Sequence, residues 1–261
     1  MEQPRPGDVV QLNWIDSPND MAERAALHVM ELLERKPEAA IALPSGNTPL
    51  GLYRRLGELH VAGRLSCARA RFFNLDEFVG KSLDDPQSYG AFLWRHVFRP
   101  LATETGRVRL LRGDAPDLAA ECRSFDQAIW EAGGLDLAIL GLGANGHMAF
   151  NEPGSGWDSV TREVELAEST RRAQHGLFAQ PSDVPCRGLT IGVRTIRAAK
   201  AILLLVSGSG KADAIAAMRR AKPDTNWPVT AILNHPRLTI LVDNDLNPER
   251  LIDPPRASLA R

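Results

Sequence analysis

The chain has 261 residues, 44% hydrophobic and 24% charged, with 31 Lys+Arg against 32 Asp+Glu for a formal net charge of −1. That balance is ordinary for a soluble globular protein and offers no basic surface for nucleic acid. The length suits one large α/β domain, and no apolar run approaches the ~20 residues of a membrane span.

Cys67, Cys122 and Cys186 are far apart and form neither a CxxC pair nor a zinc spacing. Reduced thiols in a cytoplasmic protein are the expectation. The opening MEQPRPGDVVQ has no basic start and no apolar signal core, which agrees.

In chain order, Val9 to Trp14 reads as a strand. Ser17, with Asp20 three residues on, opens a helix whose apolar face is Ala22, Ala25, Ala26, Val29 and Leu33, closed by Pro37. Ala39 to Leu43 is a buried strand, and Thr48-Pro49 is the N-cap and first turn of a helix to about His60. Arg71 to Leu75 is a strand ending in Asp76-Glu77; Tyr89 to Leu101 is helical, Val108 to Arg112 a strand, and Leu118 to Ala132 a helix. Leu135 to Leu142 is a buried strand, and Glu163 to Leu166 alternates weakly. Leu189 to Val193 and Ala201 to Val206 are β-like, Lys211 to Arg220 helical, and Val229 to Leu233 and Leu238 to Val242 two final strands. Alternating strands and helices predict an α/β fold, a mostly parallel sheet with helices on both faces. Residues 1–246 form one domain on this reading, and 247–261 a loosely packed tail.

Four strand ends carry the candidate chemistry, because open α/β sheets bind ligands at the carboxyl ends of their strands. After Leu135–Leu142 come Gly143, Asn145, Gly146, His147, Asn151, Glu152 and Pro153. His147, Asn145 and Glu152 could make a hydrogen-bonded proton-handling set; a Gly-rich turn with a helix cap is the plainer reading. The loop LPSGNTP and the loop VSGSGKADA each open a helix after a buried strand, and their N–H groups suit an anion such as phosphate. Lys211 at a helix start opposes the macrodipole, a conflict that a bound anion removes. LPSGNTP is neither a Walker A nor a GxGxxG motif, so it indicates no nucleotide. Asp76, at the end of the Arg71 to Leu75 strand, is a candidate base or a turn residue. No metal-ligand spacing is present.

The ordered set LPSGNTP, FNLDEFVG, DPQSYGAF, LDLAILGLGANGHMAFNEPG, LTIGV and VSGSGKA resembles the glucosamine-6-phosphate deaminase/isomerase family, from about Ala39 to Asp243. NGHMAFNEPG is its most specific part; the sibling 6-phosphogluconolactonases share the fold and a GxxGH turn but usually lack the FNEP continuation. The resemblance implies a Rossmann-like fold, no organic cofactor, and conversion of an amino-sugar 6-phosphate to a ketose 6-phosphate and ammonia. It makes Asp76 the base between C2 and C1, and His147 the ring-opening group, held and tuned by Glu152 and Asn145. It gives the substrate to Ser45, Gly46, Asn47, Thr48, Gly143, Gly146, Ser209 and Lys211.

Two positions depart from the family pattern. Some members carry Asp where this chain has Asn145, leaving His147 to rely on Glu152. A phosphate-contacting Arg in many members falls at Gly176, in TRRAQHGLF, for which Arg171, Arg172 or His175 would substitute. That stretch is closer to the galactosamine-6-phosphate branch. Glucosamine 6-phosphate is the expected substrate and galactosamine 6-phosphate the second choice; a lactone hydrolase and a non-enzymatic sugar-phosphate sensor are the rivals. The expected partner is a small-molecule sugar phosphate, with no nucleic acid and no membrane; a homo-oligomer is left open.

Overall fold

The computed structural model describes residues 10–208 and 210–247; Val9, Ser209 and the tail beyond Asn247 lie outside them. The elements run β1 (Asn13–Ile15), α1 (Pro18–Arg35), β2 (Ala40–Leu43), α2 (Leu50–Val61), β3 (Arg71–Asn74) and β4 (Asp76–Phe78). Then come α3 (Tyr89–Leu93), continued by a π-helical turn at Trp94–Phe98, β5 (Val108–Arg109), α4 (Leu118–Glu131) and β6 (Leu137–Gly141). The chain ends with β7 (Arg162–Glu165), α5 (Glu168–Ala173), β8 (Arg187–Thr190), α6 (Val193–Arg197), β9 (Ile202–Val206), α7 (Ala212–Arg219) and β10 (Leu238–Asp243).

Seven strands form a parallel sheet in the order β1-β10-β9-β6-β2-β3-β5. Its central strands face helices on both sides, so their residues sort by parity. Ile41, Leu43, Ile139, Leu203 and Leu205 join the core under α1 and α2. Ala40, Ala42, Ala138, Leu140, Leu204 and Val206 join the core that holds Phe125, Ile129, Ile215 and Met218. Hence these strands are apolar throughout rather than alternating. From β2 the chain moves outward to β3 and β5; from β6 it moves the other way to β9 and β10. The β2/β6 boundary is therefore a topological switch point, where two loops diverge and leave a crevice.

A second, antiparallel sheet, β4-β8-β7, sits over that carboxyl edge. Beneath it Phe78, Tyr89, Phe150 and Phe178 pack ring to ring, with centroids 4.7 to 5.7 Å apart.

Several sequence expectations are corrected. Val229 to Leu233 is not a strand: Pro228–Ile232 is a 3₁₀ turn. Pro228 suits a first turn, and the Thr230 hydroxyl bonds the Trp227 and Asp224 carbonyls, which closes the backbone into a turn. Thr48 is not a helix cap. The helix starts at Leu50 after Pro49, and Thr48 Oγ1 instead accepts from Ser207 Oγ at 3.2 Å. The strand expected to reach Val193 ends at Thr190, and Val193 begins α6. Ser17, as expected, caps α1 through its Oγ, which accepts from Asp20 N.

Candidate active site

The crevice at the switch point is a cavity of about 240 Å³. Its walls come from the β2–α2 loop, the β3–β4 junction, the β6 loop, α5 and the start of α7.

Asp76 enters it from β4. Asn74 fixes the junction: its Oδ1 accepts from Leu111 N at 2.9 Å and its Nδ2 donates to the Asp76 carbonyl at 2.8 Å. The Asp76 side chain is 7% exposed and has no hydrogen-bond or ion-pair partner among the described residues. Burial pushes its carboxyl well above the usual carboxylate range, and the neighbouring Glu77 pushes it further.

His147 lies in the β6 loop, where its ring lies against the backbone of Gly143. A Cβ at Gly143 would fall 2.3 Å from the imidazole, so only glycine fits. Gly146, at φ +81°, makes the turn with its face against Trp227, and its carbonyl accepts from Val229 N at 2.9 Å. The misread segment at 228–232 is thus a buttress for this turn.

His147 Nδ1 is 2.7 Å from Asn145 Oδ1, and Asn145 Nδ2 donates to Glu152 Oε2 at 2.8 Å. Glu152 Oε2 is 3.7 Å from Nδ1, so the amide carries the main link between them. Thr170 Oγ1 is a further neighbour of Nδ1 at 3.3 Å. An amide oxygen only accepts, so Nδ1 carries the hydrogen and Nε2 keeps its lone pair. Burial lowers the imidazole pKa; Glu152 opposes and Lys211 adds to that effect, leaving a neutral ring near pH 7.

At the other end, Ser45 Oγ is buried without a partner among the described residues and lines the cavity with Gly46, Asn47 and Thr48. Lys211, half-buried and without a counter-ion among the described residues, reaches the same cavity. Burial lowers its pKa. An unpaired hydroxyl and an unpaired ammonium beside a helix start make an anion cradle.

Of the residues named from sequence, Asp76, Asn145, His147, Ser45, Gly46, Asn47, Thr48, Gly143 and Lys211 line the cavity together. Glu152 and Gly146 stand behind its wall. Ser209 lies outside the described residues. Arg171 and Arg172 do not line it. Arg171 turns toward the Val184 carbonyl at 3.5 Å, and Arg172 pairs with Glu168 at 2.7 Å on the outer face of α5. The helix turns Ser169, Thr170, Ala173 and Gln174 inward instead. Tyr89 was missed as a wall residue; its place as first residue of a helix after a Ser cap was the only signal. Among the described residues no group of three or more His, Cys, Asp or Glu could hold a metal ion.

Residues 16–241 match the family described as glucosamine-6-phosphate isomerases/6-phosphogluconolactonase. The chain belongs to this family. A family relative, the glucosamine-6-phosphate deaminase of Lysinibacillus sphaericus, is 38% identical over 232 residues, covering 88% of this chain and 98% of that protein. The one from Beutenbergia cavernae is 43% identical over 228 residues, 86% of this chain and 87% of its own. Among solved structures, a monomeric glucosamine-6-phosphate deaminase superposes at a TM-score of 0.88 with 36% identity, over 90% of this chain and 98% of that one. The 6-phosphogluconolactonase of Thermotoga maritima, 22% identical over 90% of this chain and 99% of its own, shares the fold at 0.71.

Proposed function

We propose that this chain is a glucosamine-6-phosphate deaminase, converting glucosamine 6-phosphate and water to fructose 6-phosphate and ammonia. The observation that carries the reading is the pairing, in one cavity, of a buried unpartnered carboxyl, Asp76, with a neutral imidazole whose Nδ1 is held by Asn145.

The pyranose must open first, so a proton leaves O1 and one arrives at O5. Nε2 of His147 is the group with a free lone pair for this exchange, and Glu152, through Asn145, steadies the charge that forms on the ring. The open-chain amine then loses its C2 proton to Asp76, which returns it to C1. That leaves an imine at C2; water adds there and ammonia departs. Desolvation suits Asp76 to the task, because a carboxylate with a raised pKa is a stronger base. Ser45 to Thr48 and Lys211 hold the 6-phosphate.

The relatives named above are glucosamine-6-phosphate deaminases, which places glucosamine ahead of galactosamine. The unpaired cysteines fit a cytoplasmic enzyme, and wall residues spread from Pro44 to Lys211 meet around one cavity, which fits a single α/β domain. The test is ammonia release from glucosamine 6-phosphate and galactosamine 6-phosphate beside hydrolysis of 6-phosphogluconolactone. The largest kcat/KM is expected for glucosamine 6-phosphate; faster lactone hydrolysis would overturn the reading.

A further inference from the structure

The mechanism leaves the buried carboxyl beside the base without a task. Glu77 is fully buried, one residue beyond the base. Successive residues of a strand face opposite ways, so Asp76 lines the cavity and Glu77 points behind it. It cannot touch substrate.

Its contacts are specific. Oε1 accepts from Phe78 N at 2.9 Å and Tyr89 N at 3.0 Å, and Oε2 accepts from Gly90 N at 2.7 Å. The bonds from Tyr89 and Gly90 tie β4 to the first turn of α3, whose Tyr89 ring forms cavity wall. Gly90 permits the approach, since a Cβ there would lie 3.4 Å from Oε2 and 2.5 Å from Leu83 Cδ2. Among the described residues no cation pairs with this carboxylate; Lys81, the basic residue of the following loop, is held by Asp85 at 2.9 Å.

We propose that Glu77 is a positioning residue of the reaction: through the backbone N–H groups of Tyr89 and Gly90 it fixes Tyr89 in the cavity wall, and it stations a negative charge behind Asp76. This rests on the deaminase reading. The groups that face it are Asp76 on its own strand, Tyr89 on α3, and Asp85 in the loop between; β8 presents only Gly188, Leu189 and Thr190 opposite β4. Burial lifts Glu77 to about 7, against the pull of its three N–H bonds. Like charges so close titrate as a pair, so removing one eases ionisation of the other.

The experiment compares Glu77→Gln and Glu77→Asp with the parent chain, measuring ammonia release against pH. With Gln, the acidic limb of kcat/KM should move about one unit lower, because a neighbouring negative charge is gone. Its kcat should fall by roughly threefold to tenfold, as a weaker base requires. Asp keeps the charge and shortens the reach, so the limb should stay while KM rises. A folded Gln variant with an unmoved limb would overturn the proposal, as would an equal shift in both variants, which would mean packing rather than charge. Carboxyl ¹³C titration of the parent chain supplies an independent readout. Mutually dependent curves for Asp76 and Glu77 are expected, and two independent transitions would overturn the proposal even if the Gln variant did not fold. If the parent releases no ammonia, the deaminase reading falls, while the carboxyl titration still decides the pairing.

Discussion

Asn145 grips His147 twice, through its Oδ1, which accepts from the backbone N of His147 at 3.2 Å and lies 2.7 Å from Nδ1. An Asp at this position would put a full negative charge against the ring. Asn145→Asp should therefore raise the imidazole pKa by ~1–3 units and move the matching limb of the pH–rate profile upward. An unmoved limb would mean that another group controls it.

Glu152 reaches His147 mainly through that amide, so the two should behave as one unit. His147→Gln and Glu152→Gln are each expected to lower kcat, with a double variant no worse than the slower single one. Losses that multiply would break the chain Glu152–Asn145–His147.

Removing the base is the direct test of Asp76. Asp76→Asn should cost ~10²–10⁴-fold in kcat, the usual yield of a positioned general base. Its thermal stability should not fall, because no partner is lost and a buried charge is removed. Near-normal turnover would take Asp76 out of the mechanism.

Lys211→Ala should weaken binding of glucosamine 6-phosphate by ~1.5–3 kcal/mol, the range for a hydrogen bond to a charged group. Plain glucosamine should bind the two proteins alike. Calorimetric titration of both ligands decides it; equal losses would mean that Lys211 does not meet the phosphate.

The buried acids also set a pH dependence of stability. Glu77 titrates near 4.5 when exposed and near 7 when folded, and Asp76 is displaced in the same direction. The folded chain thus holds protons that the unfolded chain has released. For Glu77 the effect is stability that is greatest below its unfolded pKa and falls as pH rises through about 7, and Asp76 adds to it with the same sign. Urea midpoints at pH 5 and pH 7.5 should show the decline, and Glu77→Gln should flatten it.

The central strands were legible because each is apolar on both faces; β2, β6 and β9 appear within a residue or two of expectation. Their loops followed, since polar groups at such strand ends have few structural reasons to cluster. The β4-β8-β7 sheet was not legible as a sheet. Its strands are three or four residues long, and β7 alternates only weakly. Helix α5 went unseen because six residues, ESTRRA, hold no apolar period. That omission also misplaced Arg171 and Arg172, whose direction depends on the helix that carries them. At 229–233 the β-branched run misled, because Pro228 and the Thr230 hydroxyl outweigh a weak strand preference.

The hydroxyl pair of Thr48 and Ser207 joins loops 159 residues apart in the chain. The cavity is therefore assembled from segments spread between Pro44 and Lys211. During synthesis, a chain that stops before β9 can pair β2 with β3 and β6, yet it has no closed anion cradle. A tight-binding substrate mimic therefore cannot rescue truncated or half-folded forms; it can only reward the finished molecule. Ligand protection of this chain against proteolysis should accordingly appear all at once, with no partial grade.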